Sequence, residues 1–172
     1  MILRPASLSD AEPLAQLGRT SFCAAFQHLY RPEDLKSFLT EVYSVEAVRT
    51  EIADPKITHR LAQDREGSPL AGFVKMRAPS WYAEHSDAAR PISLGQLYTD
   101  PQRTGEGIGA ALIDWAIDYS RSEGHDAVQL SVWSQNYGAQ RFYQRYGFAK
   151  IADIHFLVGK QVDDEFLFEL RF

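Results

Sequence analysis

The first third of the chain has its apolar residues at helical spacing. In the stretch after the N-terminal strand, Leu14, Leu17 and Phe22 fall on or near one helical face. In the next stretch, Pro32 suits a first helical turn, and Leu35 and Phe38 begin an apolar stripe. The pattern therefore predicts one short strand followed by three helices, at 1–6, 8–26, 31–44 and 45–54.

Period-two alternation dominates the rest of the chain and indicates strands. The strands are predicted at 58–64, 69–77, 92–99, 127–133, 148–158 and 164–172, with the last two joined by a turn at 159–164. Gly95 interrupts one strand, as an interior glycine often does at a bulge. Helical patterns run from Gly109 to Gly124 and over 136–147. This order predicts an α/β (α+β) fold in which a mixed sheet of about six to seven strands carries helices on its faces.

Composition narrows the class of protein. The 172 residues fit one domain, 1–172, and 45% of them are hydrophobic, a value that is ordinary for a globular protein. The formal net charge of −5 disfavours a nucleic-acid binder, and no apolar run approaches the roughly 18 residues of a membrane helix. With a single cysteine and no signal-peptide pattern, a cytoplasmic location is expected. The five histidines show no zinc-like spacing, so no metal is expected.

Three glycines at alternate positions, Gly105, Gly107 and Gly109, stand between a predicted strand and an amphipathic helix. Backbone N–H groups at a helix N-terminus bind anions, and glycines let a phosphate come close to them. A P-loop would need Gly-Lys-Ser/Thr at the helix start, and no lysine stands there. A dinucleotide fingerprint is formally matched by Gly105, Gly107 and Ala110. It is disfavoured because the next strand ends without a carboxylate and because an antiparallel hairpin precedes the motif.

A longer sequence pattern gives a third interpretation of the glycine stretch. Residues 97–116, followed by 130–148, resemble the GNAT superfamily of acyl-CoA-dependent N-acetyltransferases. That family has a glycine-rich pyrophosphate loop after a bulged strand, then an Asn and a helix that carries Phe-Tyr and Gly-Phe. Residues 21–39 and 155–159 look like the bacterial branch that includes spermidine/spermine acetyltransferases. The resemblance implies a GNAT-like, mostly antiparallel sheet with a splay between the strands at 92–99 and 127–133.

The resemblance also implies where acetyl-CoA binds. The pantetheine arm is expected along the splayed strand, with the N–H of Leu97 as an oxyanion donor. Asn136 either bonds the pantetheine or only caps its helix. The implied cosubstrate-binding residues are Leu97, Tyr98, Thr99, Thr104, Gly105, Glu106, Gly107, Ile108, Gly109, Ala110 and Asn136. The loop departs from the family in that Thr104, rather than Arg or Gln, precedes its first glycine, while Gln102 and Arg103 lie just upstream.

Tyr143 holds the family's position for the acid that protonates the departing CoA thiolate. A tyrosine with an ordinary pKa of about 10 carries its proton at neutral pH and can donate it. The general base is not evident, because relatives often carry a glutamate in the register of Ser93. Glu84, His85 and Asp87 are alternatives in the preceding loop. Five aromatic residues are candidates for an acceptor pocket, although most are expected in the core: Phe22, Phe26, Tyr30, Trp81 and Tyr82.

The expected function is therefore an acyltransferase that moves an acetyl group from acetyl-CoA to a primary amine by direct attack in a ternary complex. The acceptor class includes polyamines and other small amines. Two alternatives stay open: a CoA-binding sensor or regulatory module with weak catalysis, and a protein N-terminal acetyltransferase. The expected partners are CoA and a small-molecule amine, with no nucleic acid and no membrane. A homodimer is one expectation by analogy with relatives.

Overall fold

Seven strands form one sheet in the computed structural model, which describes residues 1–172. The strands are β1 (Ile2–Pro5), β2 (Ile57–Gln63), β3 (Leu70–Arg77), β4 (Pro91–Thr99), β5 (Ala127–Trp133), β6 (Ala149–Val158) and β7 (Gln161–Arg171). The helices are α1 (Ala11–Phe26), α2 (Pro32–Tyr43), α3 (Val45–Ala53), α4 (Ile108–Ser122) and α5 (Tyr137–Arg145). The order of strands and helices along the chain is the predicted one. None of these helices combines the length and the apolar character needed to cross a bilayer.

The strands lie side by side in the order β1-β2-β3-β4-β5-β7-β6. Every neighbouring pair is antiparallel except β4 and β5, which are parallel. A parallel pair needs a long crossover, and α4 supplies it. The mixed, mostly antiparallel sheet is therefore confirmed, as is the number of strands.

Helices cover both faces of the sheet. On one face α4 buries Leu112, Ile113 and Ala116 in the largest apolar cluster, which also includes Tyr143 of α5. On the other face α1 and α3 pack Leu14 and Val48 against the first strands, while the aromatic residues of α1 and α2 form a separate cluster. The candidate site lies where these two faces communicate, at the junction of β4 and β5.

The pairing of β4 with β5 is short. Only Pro91, Ile92 and Ser93 pair with β5, whereas all seven residues of β5 pair with β7. From Leu94 onward β4 pairs with β3 alone. The predicted splay between these two strands is thus confirmed.

A bulge in β4 lies where the splay begins. The register with β3 shifts between Lys75 and Met76, which pair with Gln96 and Leu94, so Gly95 is the extra residue. A side chain at Gly95 would collide with the ring of Trp81, because an added Cβ would lie 2.7 Å from the Trp81 Cζ3 atom. The glycine therefore marks a bulge, as predicted, and lets the Trp81 ring approach the strand.

The turn between β6 and β7 is shorter than predicted. The sequence suggested a turn over 159–164, but the strands end at Val158 and resume at Gln161, so only Gly159 and Lys160 turn the chain. Gly159 has a φ of 58°, a left-handed value that suits a tight turn. The carboxylate of Asp34 accepts a hydrogen bond of 2.8 Å from the backbone N–H of Lys160. This contact docks α2 on the turn, and Asp163 and Asp164 belong to β7 because they pair with Phe156 and His155 of β6.

Gly159→Ala should therefore destabilise the protein more than an ordinary left-handed glycine would. An added Cβ would lie 2.6 Å from the Cα atom of Asp34, so α2 would have to move. The expected loss in the free energy of unfolding, measured by urea titration, is about 2–5 kcal/mol, the sum of left-handed strain and overpacking. Gly67→Ala is the matched control, because Gly67 has a φ of 79° and nothing within 4 Å of an added Cβ. Equal losses in the two variants would contradict the close docking of α2.

Candidate active site

A groove runs through the splay and connects the two faces of the sheet. It consists of three adjoining cavities that we call the loop cavity, the central cavity and the aromatic cavity, with volumes of about 470, 170 and 480 Å³. The loop cavity reaches the glycine stretch through Thr104 and Gly109. The central cavity shares Leu97 and Tyr143 with the loop cavity, and it shares Gln96 and Ser131 with the aromatic cavity. Tyr98 contacts all three cavities.

The glycine loop presents backbone donors at the start of α4. Gly107 precedes the helix with a φ of 80°, and Gly105 has a φ of 86°. The first intrahelical bond of this turn runs from Ala111 N–H to the Gly107 carbonyl. The N–H groups of Ile108, Gly109 and Ala110 therefore have no partner within the helix, and they carry the positive end of its dipole. Since an added Cβ at Gly105 or Gly107 would meet nothing within 4 Å, the space above the loop is open.

Arg103 does not face this space with a free charge. Its guanidinium forms a bidentate pair with Asp64, at 3.1 and 2.9 Å, and also binds Glu106 at 2.7 Å. These bonds, first to Glu106 and then to Asp64, raise the pKa of Arg103. The side chain of Glu106 thus holds Arg103 rather than a ligand, whereas Thr104 is exposed and lines the loop cavity. Any anion bound here would depend on backbone donors and on the hydroxyl of Thr104.

The free edge of β4 supplies further backbone groups. Asp100 N–H donates to the carbonyl of Ala71 on β3, and the Tyr98 carbonyl also faces β3. Because backbone groups alternate in direction along a strand, those of Leu97 and Thr99 face the gap toward β5. Ser21 of α1 donates to the Thr99 carbonyl at 3.1 Å. The structure therefore brings Leu97 and Thr99 into the groove by their backbones and Tyr98 by its side chain.

Asn136 caps α5 at the other side of the loop cavity. Its Oδ1 accepts a hydrogen bond of 3.1 Å from Ala139 N–H, so one of its two expected roles is confirmed. The residue also lines both the loop cavity and the central cavity. Its amide nitrogen is therefore placed where it can contact a ligand.

Tyr143 lies on the same helix and points into the sheet. Its ring packs edge-on against Phe142 and Phe148, and the residue is 9% exposed. Burial, and to a lesser extent Tyr98, raise the pKa of the Tyr143 hydroxyl. The side chain thus borders the loop and central cavities with its proton firmly held.

The residues that the sequence offered as candidate bases lie outside the groove. Ser93 belongs to the paired part of β4, where its buried hydroxyl donates to the Arg77 carbonyl at 3.2 Å. Asp87 pairs with Arg171 at 2.8 Å, and the side chain of Glu84 is 84% exposed. Neither these residues nor His85 line any of the three cavities.

Some of the predicted aromatic residues do line the groove. Trp81 and Tyr82 border the aromatic cavity, and Phe26 borders the other two cavities. Phe22 and Tyr30 instead stack on one another, with their ring centroids 6.0 Å apart, in the aromatic cluster of α1 and α2. Sequence reasoning missed three further aromatic residues of the aromatic cavity, namely Phe38, Tyr43 and Phe156, and it expected Tyr98, which also lines this cavity, at the cosubstrate.

Charged side chains also border the aromatic cavity. Lys75 is buried, and its ammonium binds Glu51 Oε1 at 2.8 Å. His59 lies 3.5 Å from the other oxygen of Glu51. Although burial acts in the opposite direction, His59 and Lys75 lower the pKa of Glu51. Glu41 stands exposed at the rim of the cavity.

One carboxylate in the central cavity was not predicted as a site residue. Glu165 lies on β7, opposite Trp133, and its Oε2 atom is buried without a hydrogen-bond partner. Burial raises the pKa of this carboxyl, whereas the Ser131 side chain acts in the opposite direction. No local signal in the sequence distinguishes Glu165 from an outward-facing charge on a strand.

Comparisons with known proteins agree with this geometry. The chain is 28% identical over 153 residues to spermidine N(1)-acetyltransferase of Thermoplasma acidophilum, an alignment that covers 88% of this chain and 89% of that protein. It is 45% identical over 82 residues, 48% of this chain, to the uncharacterized N-acetyltransferase MJ1207 of Methanocaldococcus jannaschii. That match spans only about a third of the relative, 35% of its length.

A solved structure has the same fold over nearly the whole chain. The PaiA N-acetyltransferase of Thermoplasma acidophilum, determined in complex with coenzyme A, superposes with a TM-score of 0.79 at 24% identity. The superposition covers 99% of this chain and 98% of that one. The sequence pattern described as the acetyltransferase (GNAT) family matches residues 23–148, which include β4, the glycine loop, β5 and α5. With nearly three quarters of its length inside that pattern, the chain belongs to the GNAT family of acetyltransferases.

Proposed function

We propose that this protein transfers an acetyl group from acetyl-CoA to a primary amine of a small polyamine, by direct attack in a ternary complex. The observation that carries the proposal is the groove through the splay. It joins an anion-binding helix terminus at one end to an aromatic, acidic cavity at the other. Two substrates that enter from opposite faces of the sheet would meet beside Leu97 and Tyr143.

The loop end of the groove fits CoA. The N–H groups of Ile108, Gly109 and Ala110 would hold the pyrophosphate, and the open space above Gly105 and Gly107 admits it. The free backbone edge at Leu97 and Thr99 offers hydrogen bonds that match the two amides of a pantetheine arm. Bound acetyl-CoA would supply a thioester whose acyl carbon is open to attack by a nitrogen nucleophile.

At the centre of the groove, two groups of the chain would act on the reaction. The N–H of Leu97 would stabilise negative charge that develops on the acyl oxygen. The hydroxyl of Tyr143 would donate a proton to the departing sulfur, and its raised pKa keeps the proton available at neutral pH.

The acceptor end of the groove favours a cationic substrate with an apolar spacer. Glu41, Glu51 and Glu165 place three carboxylates around the central and aromatic cavities, against the single ammonium of Lys75. Phe38, Trp81, Tyr82 and Phe156 offer apolar walls to a methylene chain. The similarity to a spermidine acetyltransferase supports the same class of acceptor.

A panel of amines tests the proposal through the release of free thiol from acetyl-CoA. We expect spermidine and a diamine to give a higher kcat/KM than a monoamine of equal length, because the acidic rim binds a second ammonium group. An amino acid and a peptide N-terminus complete the panel. Turnover confined to the peptide would favour a protein N-terminal acetyltransferase. Acetyl-CoA binding without turnover of any amine would favour a CoA sensor.

Tyr143→Phe should lower kcat about 100-fold, at the lower end of the range for general acid catalysis, and leave the KM for acetyl-CoA nearly unchanged. The variant keeps the ring that packs against Phe142 and Phe148 and removes only the hydroxyl. Tyr146→Phe, at the residue directly after the same helix and outside the three cavities, is the control and should keep full activity. Steady-state kinetics of both variants decide the matter, and an unchanged kcat in Tyr143→Phe would remove Tyr143 from the mechanism.

Gly107→Ala should weaken CoA binding about tenfold or more. A left-handed residue with a side chain costs about 1–2 kcal/mol, and the loop can relieve this strain by giving up its ligand-binding conformation. Gly67→Ala carries the same strain at a surface turn outside the three cavities, since both glycines have a φ near 80° and open space around them. Titration calorimetry with CoA should show a loss of affinity in the first variant only. Similar affinities in both would show that the loop does not hold the phosphates.

A further inference from the structure

The central cavity contains one carboxylate to which no step of the proposed reaction has yet been assigned, that of Glu165. Glu165 Oε2 is buried, lacks any hydrogen-bond partner and belongs to a side chain that lines the same cavity as Leu97 and Tyr143. An unpaired carboxylate oxygen removed from water is costly and needs a reason. A ligand that carries a positive charge and N–H donors would satisfy it.

The surroundings of Glu165 leave its charge largely uncompensated. On β5, Ser131 lies diagonally across from it on the same face of the sheet, and Tyr82 donates a hydrogen bond of 3.3 Å to the Ser131 hydroxyl. Asp163 on the same strand acts on Glu165 as a second negative charge. Four tyrosines with raised pKa values also lie around it, two from β4 and α5 and two from loops: Tyr98, Tyr143, Tyr30 and Tyr82.

The other carboxylates near the groove are already engaged. Glu51 is bonded to Lys75 and lies beside His59. Asp163 accepts hydrogen bonds from the Tyr30 hydroxyl and from the Gln161 amide. Glu41 stands at the exposed rim of the aromatic cavity and does not line the central one. Among these groups, Glu165 alone combines a free oxygen with a place beside the proposed reaction centre.

We propose that Glu165 is the general base of the proposed acetyl transfer and takes the proton from the acceptor ammonium. This inference rests on the proposed function and assigns the group that prepares the nucleophile. An alkylamine has a pKa of about 10.4 and is almost wholly protonated at neutral pH. A base beside the reaction centre would therefore let the protein bind the abundant ammonium form.

Every proton that moves in this step is accounted for. Glu165 takes one proton from the ammonium, and the neutral amine then forms the C–N bond while the C–S bond breaks. Tyr143 gives its proton to the sulfur, and the second proton of the nitrogen replaces the one that Tyr143 has lost. Glu165 releases its proton to water. The net reaction converts an ammonium and a thioester into an amide, a thiol and one proton.

Glu165→Gln tests this role through the pH dependence of kcat/KM for the amine, measured at saturating acetyl-CoA. Near neutral pH the kcat/KM of the variant should be about 100-fold lower than that of the wild type, which is the lower end of the range for general base catalysis. The deficit should shrink as the pH approaches about 10.4, because the solution then supplies neutral amine. Asp164→Asn is the control, since its exposed side chain points to the other face of the strand. It should keep the wild-type profile.

The possible outcomes separate the two proposals. A deficit of constant size at every pH would indicate a structural role for Glu165 and overturn the assignment, as would the absence of any deficit. Either result would leave acetyl transfer to amines intact. Failure of the wild-type protein to acetylate any amine would overturn both proposals.

Ser131→Ala gives a second test that does not require the Glu165 variant to fold. The Ser131 side chain lowers the pKa of Glu165, so its removal should raise that pKa further. A general base must be ionised to act, and kcat/KM therefore rises with pH through its pKa. The acid-side rise of the profile should move to higher pH in this variant. A profile that stays in place or moves to lower pH would contradict the assignment.

Discussion

The site depends on a single feature of the sheet, the brevity of the contact between β4 and β5. Three residues of β4 pair with β5, and beyond Ser93 the two strands follow different partners, β3 on one side and β7 on the other. A backbone edge in the middle of a sheet would normally be costly, because its N–H and C=O groups lose their partners. Here the loss creates a row of directed hydrogen-bonding groups at Leu97 and Thr99. The groove exists because the sheet does not close.

Each side of the splay is held by its own packing. On the β4 side, the bulge at Gly95 accepts the Trp81 ring. On the β5 side, the buried amide of Gln129 accepts a hydrogen bond of 2.6 Å from Ser80 and donates one of 2.8 Å to Glu169. Ser80 belongs to the loop that carries Trp81 and Tyr82, and Gln129 pairs with Ser93 where the two strands begin to separate. One polar network therefore joins the start of the splay to a wall of the aromatic cavity.

The sequence was most informative where function depends on short-range geometry. The glycine loop, the bulge at Gly95 and the cap at Asn136 are each set by a few neighbouring residues, and the structure has them as predicted. The turn at Gly159 was mispredicted in length, and the Asp34 contact that covers it joins residues 126 positions apart along the chain, so no local pattern shows it. The surroundings of Glu165 are likewise set by contacts from distant elements. The sequence from Glu165 to Glu169 alternates charged and aromatic residues at its ends, as in a strand with one side in solvent. No neighbouring residue in the sequence shows that both sides of this strand are covered.

The same reasoning explains why the search for a base in the register of Ser93 failed. Ser93 lies before the strands separate, so a carboxylate there would be buried on the closed part of the sheet, outside the groove. What qualifies a side chain as a general base is its position in space, here close to the exposed edge at Leu97, rather than its place on a given strand. Glu165 approaches that position from β7, on the far side of β5, through the open part of the groove. The family pattern ends at Phe148, before β6 and β7, so this part of the site lies outside the residues by which the family is identified. The loop and α5, which the family pattern includes, can therefore be combined with a groove end to which the final hairpin contributes Phe156 and Glu165 from outside that pattern.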